Sequence, residues 1–177
     1  MLVHRVFADG EDPVEHHLQV VADKTGSLIA TSARLGAMLA GAPEADVEIA
    51  ARFGEVIGTA FQLSDDLIDV LSDADDTGKT PGTDLREGIR TLPVLLALAM
   101  DDAAGERLRD LLRSDLTDDA RLAEALSLLR ASPAIEAARA RLQGCVQEAR
   151  DVAAALPDTP ARDALVSLTD VVQLRTG

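Results

Sequence analysis

Apolar residues recur three and four positions apart along most of the 177-residue chain, and no segment shows sustained apolar–polar alternation. The first is the period of an α-helix; the second would have marked a strand. The expectation is an all-α protein with short connections and enough length for one domain with a core. Pro13 opens a first predicted helix, through HHLQVVADKTGSLIATSARLGAMLAG, that stops near Gly41; Pro43 opens a second, running to about Ser72. A loop rich in Asp, Gly, Thr and Pro covers 73–84. Thr91 and Pro93 look like the cap and first turn of LPVLLALAM, and Thr117 like the cap of DDARLAEALSLLR. Ser132–Pro133 and Thr159–Pro160 repeat the cap-then-proline signal before two last helices. Gly26, Gly36, Gly54 and Gly58 fall inside the first two helices, where each costs roughly 1 kcal/mol relative to alanine. Close helix packing would explain them; room for a ligand beside the backbone is the functional reading.

The second helix ends in an unusual concentration of acid. Residues 61–82 read FQLSDDLIDVLSDADDTGKTPG, and no Lys or Arg stands between Arg52 and Lys79. On a helix, Gln62, Asp65, Asp66, Asp69 and Asp73 gather on one side, with Leu63, Leu67, Val70 and Leu71 over much of the other. Amphipathicity and a solvated acidic face would account for that division. Two details strain this reading. Like charges at i,i+4, as at Asp65 and Asp69, cost about 0.2–0.5 kcal/mol per pair. Aspartate is also a poor helix former that belongs near a helix N-terminus, and here the cluster comes late in a long helix. Something outside the helix is expected to neutralise it. A hard divalent cation such as Mg²⁺, held by one or two carboxylates together with phosphate oxygens and water, would do so.

Lysine occurs only at 24 and 79, while the other fifteen of the 17 basic residues are arginine. Lysine is a compact point charge suited to phosphate oxygens. Lys79 closely follows the acidic helix, and Lys24 is followed by Thr25 and Gly26. Together with the acids, the lysines favour a diphosphate site in which Mg²⁺ and side-chain cations share the charge.

Rival motifs are weaker. Gly78-Lys79-Thr80 resembles the end of a phosphate-binding P-loop, but Asp73 stands where the first glycine is needed and no strand precedes it. Asp73, Asp75, Thr77, Gly78 and Asp84 partly fit a calcium loop, against which stand the missing glutamate and the interrupting Pro81. His16 and His17 point apart on a helix and are expected to face solvent, and Cys145 reads as a packing residue. A net charge of −14 with 2% aromatic residues opposes nucleic-acid binding. No apolar run is long enough to span a bilayer, no signal peptide is visible, and a single cysteine permits no internal disulfide, so the cytoplasm is the expected compartment.

FQLSDDLIDV followed by GKTPGTDLREGIRTLPVLLAL resembles the second aspartate-rich region of the trans-isoprenyl (polyprenyl) diphosphate synthases, and VADKTGSLIATSARLGAMLAG resembles that family's Lys-Thr helix. Order and spacing agree as well. The resemblance implies an isoprenoid-synthase-type helical bundle around a central cavity. Members of the family ionise an allylic diphosphate and join the carbocation to isopentenyl diphosphate, with Mg²⁺ on the departing diphosphate. Carried over, Asp65, Asp66 and Asp69 are the metal-binding residues, Asp65 foremost. Lys24 and Lys79 contact the allylic diphosphate, while Thr25 and Gln62 support it and steady the carbocation.

Two departures accompany the resemblance. Ile89 stands where the family commonly has lysine, with Arg90 beside it pointing elsewhere. The family's first aspartate-rich motif, which precedes the Lys-Thr helix, has no counterpart here. The chain is therefore expected to be a single partial domain, the C-terminal half: a leader at 1–14, the Lys-Thr helix at 15–41, the acidic helix and loop at 43–84 and the C-terminal helices at 91–177. Alone it is expected to be inactive. It would act as a homodimer, as family members commonly do, or as a heteromer with a chain supplying the first motif. TPGTDLREG resembles the long-chain synthases of quinone side chains. The alternatives are a non-catalytic partner or regulatory subunit of a heteromeric synthase, and an unrelated calcium-binding helical module.

Overall fold

The computed structural model describes residues 12–72, 81–101 and 103–176, and among these every regular element is helical. Helix α1 (Pro13–Val21) starts where Asp12 Oδ1 accepts the Val14 N–H at 2.9 Å, and Pro13 occupies the first turn, where its missing donor costs nothing. It continues through one π-helical turn (Ala22–Gly26) into α2 (Ser27–Leu39). Gly41, at φ 76°, ends α2: its N–H reaches Met38 O and the Ala42 N–H reaches Ala37 O, a Schellman cap that needs the left-handed backbone glycine tolerates. Pro43 then leads into α3 (Glu44–Leu71), 28 residues long. Both predicted long helices are present within a residue or two of their expected ends.

A short helix, α4 (Thr83–Arg86), lies at the end of the stretch expected to be loop. Thr91 is the N-cap of α5 (Leu92–Leu98), but it caps by backbone geometry, with no side-chain bond to the helix. Helix α6 (Ala103–Leu112) precedes α7 (Asp119–Arg130). The cap of α7 is Asp118 rather than Thr117: Asp118 Oδ1 accepts the N–H groups of Ala120 and Arg121. A carboxylate is the stronger acceptor at a helix N-terminus, and the Thr117 hydroxyl is turned back onto Asp115 at 2.7 Å. Ser132 Oγ accepts from Ala134 at the start of α8 (Ala134–Ala154), and Thr159 Oγ1 from Arg162 in α9 (Pro160–Leu174).

The chain forms two compact units, one from the described residues of Met1–His17 and Asp65–Arg139, the other from those of Leu18–Ser64 and Ala140–Gly177. The first unit buries Leu67, Val70, Leu85, Leu92, Val94, Leu108 and Leu129. The second buries Phe53, Val56, Ile57, Leu63, Leu142, Val146 and Ala149. In the second unit α2 and α3 nearly touch. A Cβ on Gly54 would lie 2.7 Å from Ile29 O and 2.8 Å from the Ala30 Cα, and one on Gly26 would lie 3.0 Å from Glu55 O. Close packing thus accounts for Gly26, Gly54 and Gly58, whereas nothing lies within 4 Å of Gly36. Helix α2 buries none of its side chains fully and leaves Leu28, Leu35, Met38 and Leu39 exposed. No helix among the described residues is long and apolar enough to cross a membrane.

Candidate functional site

The acids of α3 sit in three different environments. Asp66 is 2% exposed, and its Oδ2 meets the His17 Nε2 at 2.9 Å and the Leu92 backbone N–H at 3.3 Å. Burying a carboxylate so deeply would be prohibitive without donors, and these two supply them. Asp69 is half-buried, and its two carboxylate oxygens accept the Thr83 and Asp84 N–H groups at 3.1 and 3.2 Å. Its carbonyl accepts the Gly82 N–H at 2.8 Å. Asp69 therefore anchors the start of α4. Asp65, one position before Asp66, is half-buried. Arg130 binds the C-terminal end of α3, donating to Val70 O at 2.8 Å and Ser72 O at 2.9 Å, where the helix dipole is negative.

The protein itself thus answers part of the electrostatic problem posed by the sequence. The donors to the acids are a histidine and three backbone amides, all remote in sequence, and an arginine meets the carbonyls at the helix end. His17 is the clearest surprise, since it was expected to face solvent; its side chain is 15% exposed and committed to Asp66. No local pattern marks it, because its partner is 49 residues away.

The second unit holds the Lys-Thr segment. Lys24 and Thr25 lie on the π turn, whose wide i→i+5 bond joins Ser27 N–H to Ala22 O, while Ser27 Oγ donates to Asp23 O at 2.6 Å. Such turns recur at functional sites because they displace one residue from the regular helical face. Lys24 is exposed, and the Thr25 hydroxyl donates to Gln62 Oε1 at 3.3 Å, so two residues predicted 37 positions apart meet. Beside Gln62, the Arg175 guanidinium lies 4.3 Å over the Phe61 ring and donates to Ser64 Oγ at 2.9 Å. No sequence motif marks Arg175, which these contacts bring to the start of the acidic stretch. Cys145 is half-buried, and burial, with Glu148 nearby, raises its thiol pKa, as suits a packing role.

Lys79, and the Asp73, Asp75, Thr77 and Gly78 of the calcium-loop reading, lie outside the described residues. Ile89 and Arg90 are exposed. Among the described residues no three His, Cys, Asp or Glu side chains come together as a metal-binding group. Asp65 and Asp69 nonetheless fit Mg²⁺ in kind: they are hard oxygen donors one helical turn apart, and an ion completed by phosphate and water needs no third carboxylate.

The family model described as "Polyprenyl synthetase" matches residues 5–129. The chain is 48% identical over 173 residues to the nonaprenyl diphosphate synthase of Mycobacterium tuberculosis, covering 98% of this chain and 52% of that protein. It is 35% identical over 160 residues to heptaprenyl diphosphate synthase component 2 of Geobacillus stearothermophilus, covering 89% and 48%. Among solved structures, geranylgeranyl pyrophosphate synthase from Corynebacterium glutamicum, complexed with calcium and isoprenyl diphosphate, superposes with a TM-score of 0.87 at 40% identity, covering 97% of this chain and 53% of that one. The chain spans about half the length of the relatives it matches, and with that matched family model and those identities it belongs to the polyprenyl synthetase family.

Proposed function

We propose that this chain forms part of a prenyltransferase that condenses an allylic diphosphate with isopentenyl diphosphate, and that its product is a long-chain polyprenyl diphosphate. The observation that carries this reading is the late acidic turn of α3, with Asp65 and Asp69 as oxygen donors one turn apart, in a chain that is 48% identical to a nonaprenyl diphosphate synthase. Bound Mg²⁺ supplies charge neutralisation on the departing diphosphate. Asp65 is the foremost direct ligand, Asp69 the second, and Asp66 backs them from the core. Lys24 and Lys79 receive diphosphate oxygens, stabilising negative charge as it develops on the leaving group. Thr25 orients Gln62 through their hydrogen bond, and Gln62 steadies the allylic cation. The apolar side chains exposed on α2 suit a further half that brings the first aspartate-rich motif. A heteromer has support in the naming of the Geobacillus relative as a component, and a homodimer is the other assembly; the cytoplasm is the proposed compartment.

The test is the binding of an unreactive allylic diphosphate analogue to the chain joined to a segment that supplies the first aspartate-rich motif. Binding is expected to require Mg²⁺ and to weaken at least about tenfold in D65A, the scale typical of a lost metal contact. Binding that is indifferent to both Mg²⁺ and Asp65 would overturn the proposal.

A further inference from the structure

A carboxylate that is 2% exposed is an expensive element in a helix core, and an apolar side chain of similar volume would often serve stability as well or better. Asp66 nevertheless sits there, between a histidine from α1 and the first amide of α5. Asp66 Oδ2 already accepts the Leu92 N–H, and the tautomer of His17 with its hydrogen on Nε2 makes their 2.9 Å contact a second donation to the same oxygen. Both donors converge on one oxygen, Oδ2, which fixes the carboxylate from two elements at once.

The consequence falls on its neighbours. Adjacent residues on a helix point about 100° apart, so a helix pinned at one side chain has no freedom to roll. With Asp66 held in the core, the direction of Asp65 is set as well, while the Thr83 and Asp84 amides hold Asp69. We infer that His17 is a positioning residue for the acidic turn: by donating to Asp66 it holds Asp65 in the direction in which, beside Asp69, it meets a divalent cation and a diphosphate. This inference rests on the metal–diphosphate reading above and adds to it a residue distant in sequence from every motif that suggested that reading. It also explains why the buried pair is polar. A packed leucine would fill the space, but a directional bond specifies the rotation.

The test uses the chain joined to a segment that supplies the first aspartate-rich motif, with Mn²⁺ and inorganic pyrophosphate as the probe, following the loss of the free Mn²⁺ electron paramagnetic resonance signal. His17→Phe keeps a ring and removes the donor; His17→Gln keeps a donor at similar reach. H17F is expected to weaken Mn²⁺–pyrophosphate binding by about tenfold, as losses of groups that orient metal ligands do, and H17Q to stay within about threefold of the unaltered chain. Circular dichroism of each variant reports whether it folds. Binding by H17F equal to that of the unaltered chain, with D65A still losing it, would overturn the role of His17 and leave the metal–diphosphate reading standing. An H17Q variant as weak as H17F would overturn it too, because the donor would then not be what matters. Should H17F fail to fold, H17Q decides alone: retained binding supports the inference and loss overturns it. Unchanged binding in D65A, or no binding by the unaltered chain, removes the reading itself and the inference with it.

Discussion

Asp65 and Asp66 are the same residue type in adjacent positions, yet removing them should have unequal consequences. Asp66→Ala leaves the Leu92 N–H and the His17 ring without their acceptor in a dry environment, and an orphaned buried donor costs about 1–3 kcal/mol. Asp65→Ala removes one member of a like-charged i,i+4 pair with Asp69, which relieves about 0.2–0.5 kcal/mol, and replaces a poor helix former with the best one. Urea unfolding should therefore show D66A destabilised by about 2–3 kcal/mol, and by more than D65A, because Asp65 is only half-buried. If the metal–diphosphate reading holds, D65A will lose ligand affinity while keeping its fold, the signature of a residue placed for function against stability. The sequence shows these acids as a cluster with a charge problem. It does not show which of them is buried, because burial here is decided by donors 26 and 49 residues away.

At the scale of elements, the helical period and the proline and glycine punctuation carry most of the information. Pro13, Gly41 and Pro43 delimit the first two long helices because each acts through its own backbone, a local property that needs no knowledge of neighbours. Thr117 fails as a cap for the complementary reason: three candidate acceptors, Asp115, Thr117 and Asp118, stand close together, and only the geometry of the turn selects among them. The π turn at Lys24–Thr25 is invisible in the sequence, since it shares composition with ordinary helix. Glycines separate by environment in the same way, and this can be measured. Gly54→Ala adds a helix former but drives a methyl group to within 2.7–2.9 Å of the backbone of α2, which has no rotamer with which to retreat. Overpacking of this kind costs about 1–3 kcal/mol even when side chains can adjust, so G54A should lose at least about 2 kcal/mol. Gly36→Ala meets nothing within 4 Å inside the same helical pair and should gain about 0.5–1 kcal/mol in the same denaturation assay. The two substitutions are identical in propensity, so a difference of sign between them reads the α2–α3 approach alone.

Over the whole molecule the net charge of −14 makes two effects compete as the pH falls. Protonation relieves self-repulsion among carboxylates, which favours the folded chain. Against this, particular carboxylates are held below their ordinary pKa by folded-state partners: Glu48 by its hydrogen bond to Arg34, Glu124 by its hydrogen bond to Arg107, and Asp115 by the Thr117 hydroxyl and amide. For these three the unfolded chain takes up protons first. Their contribution is fully present above the ordinary carboxylate range and is lost as the pH descends through their lowered folded values. The sign of the net effect thus changes with pH. From neutral pH down to the upper edge of the carboxylate range, stability should hold level or rise slightly; below it, stability should fall. All three groups are exposed, so 1 M salt, with a Debye length of about 3 Å, should flatten both limbs. The double variant E48Q/E124Q separates the terms: it removes two paired carboxylates and two negative charges together. Urea midpoints measured across acid pH should show a shallower decline for E48Q/E124Q than for the unaltered chain. An equally steep decline would place the acid sensitivity outside these two ion pairs, with Asp115 the remaining carboxylate held low by its folded-state partners.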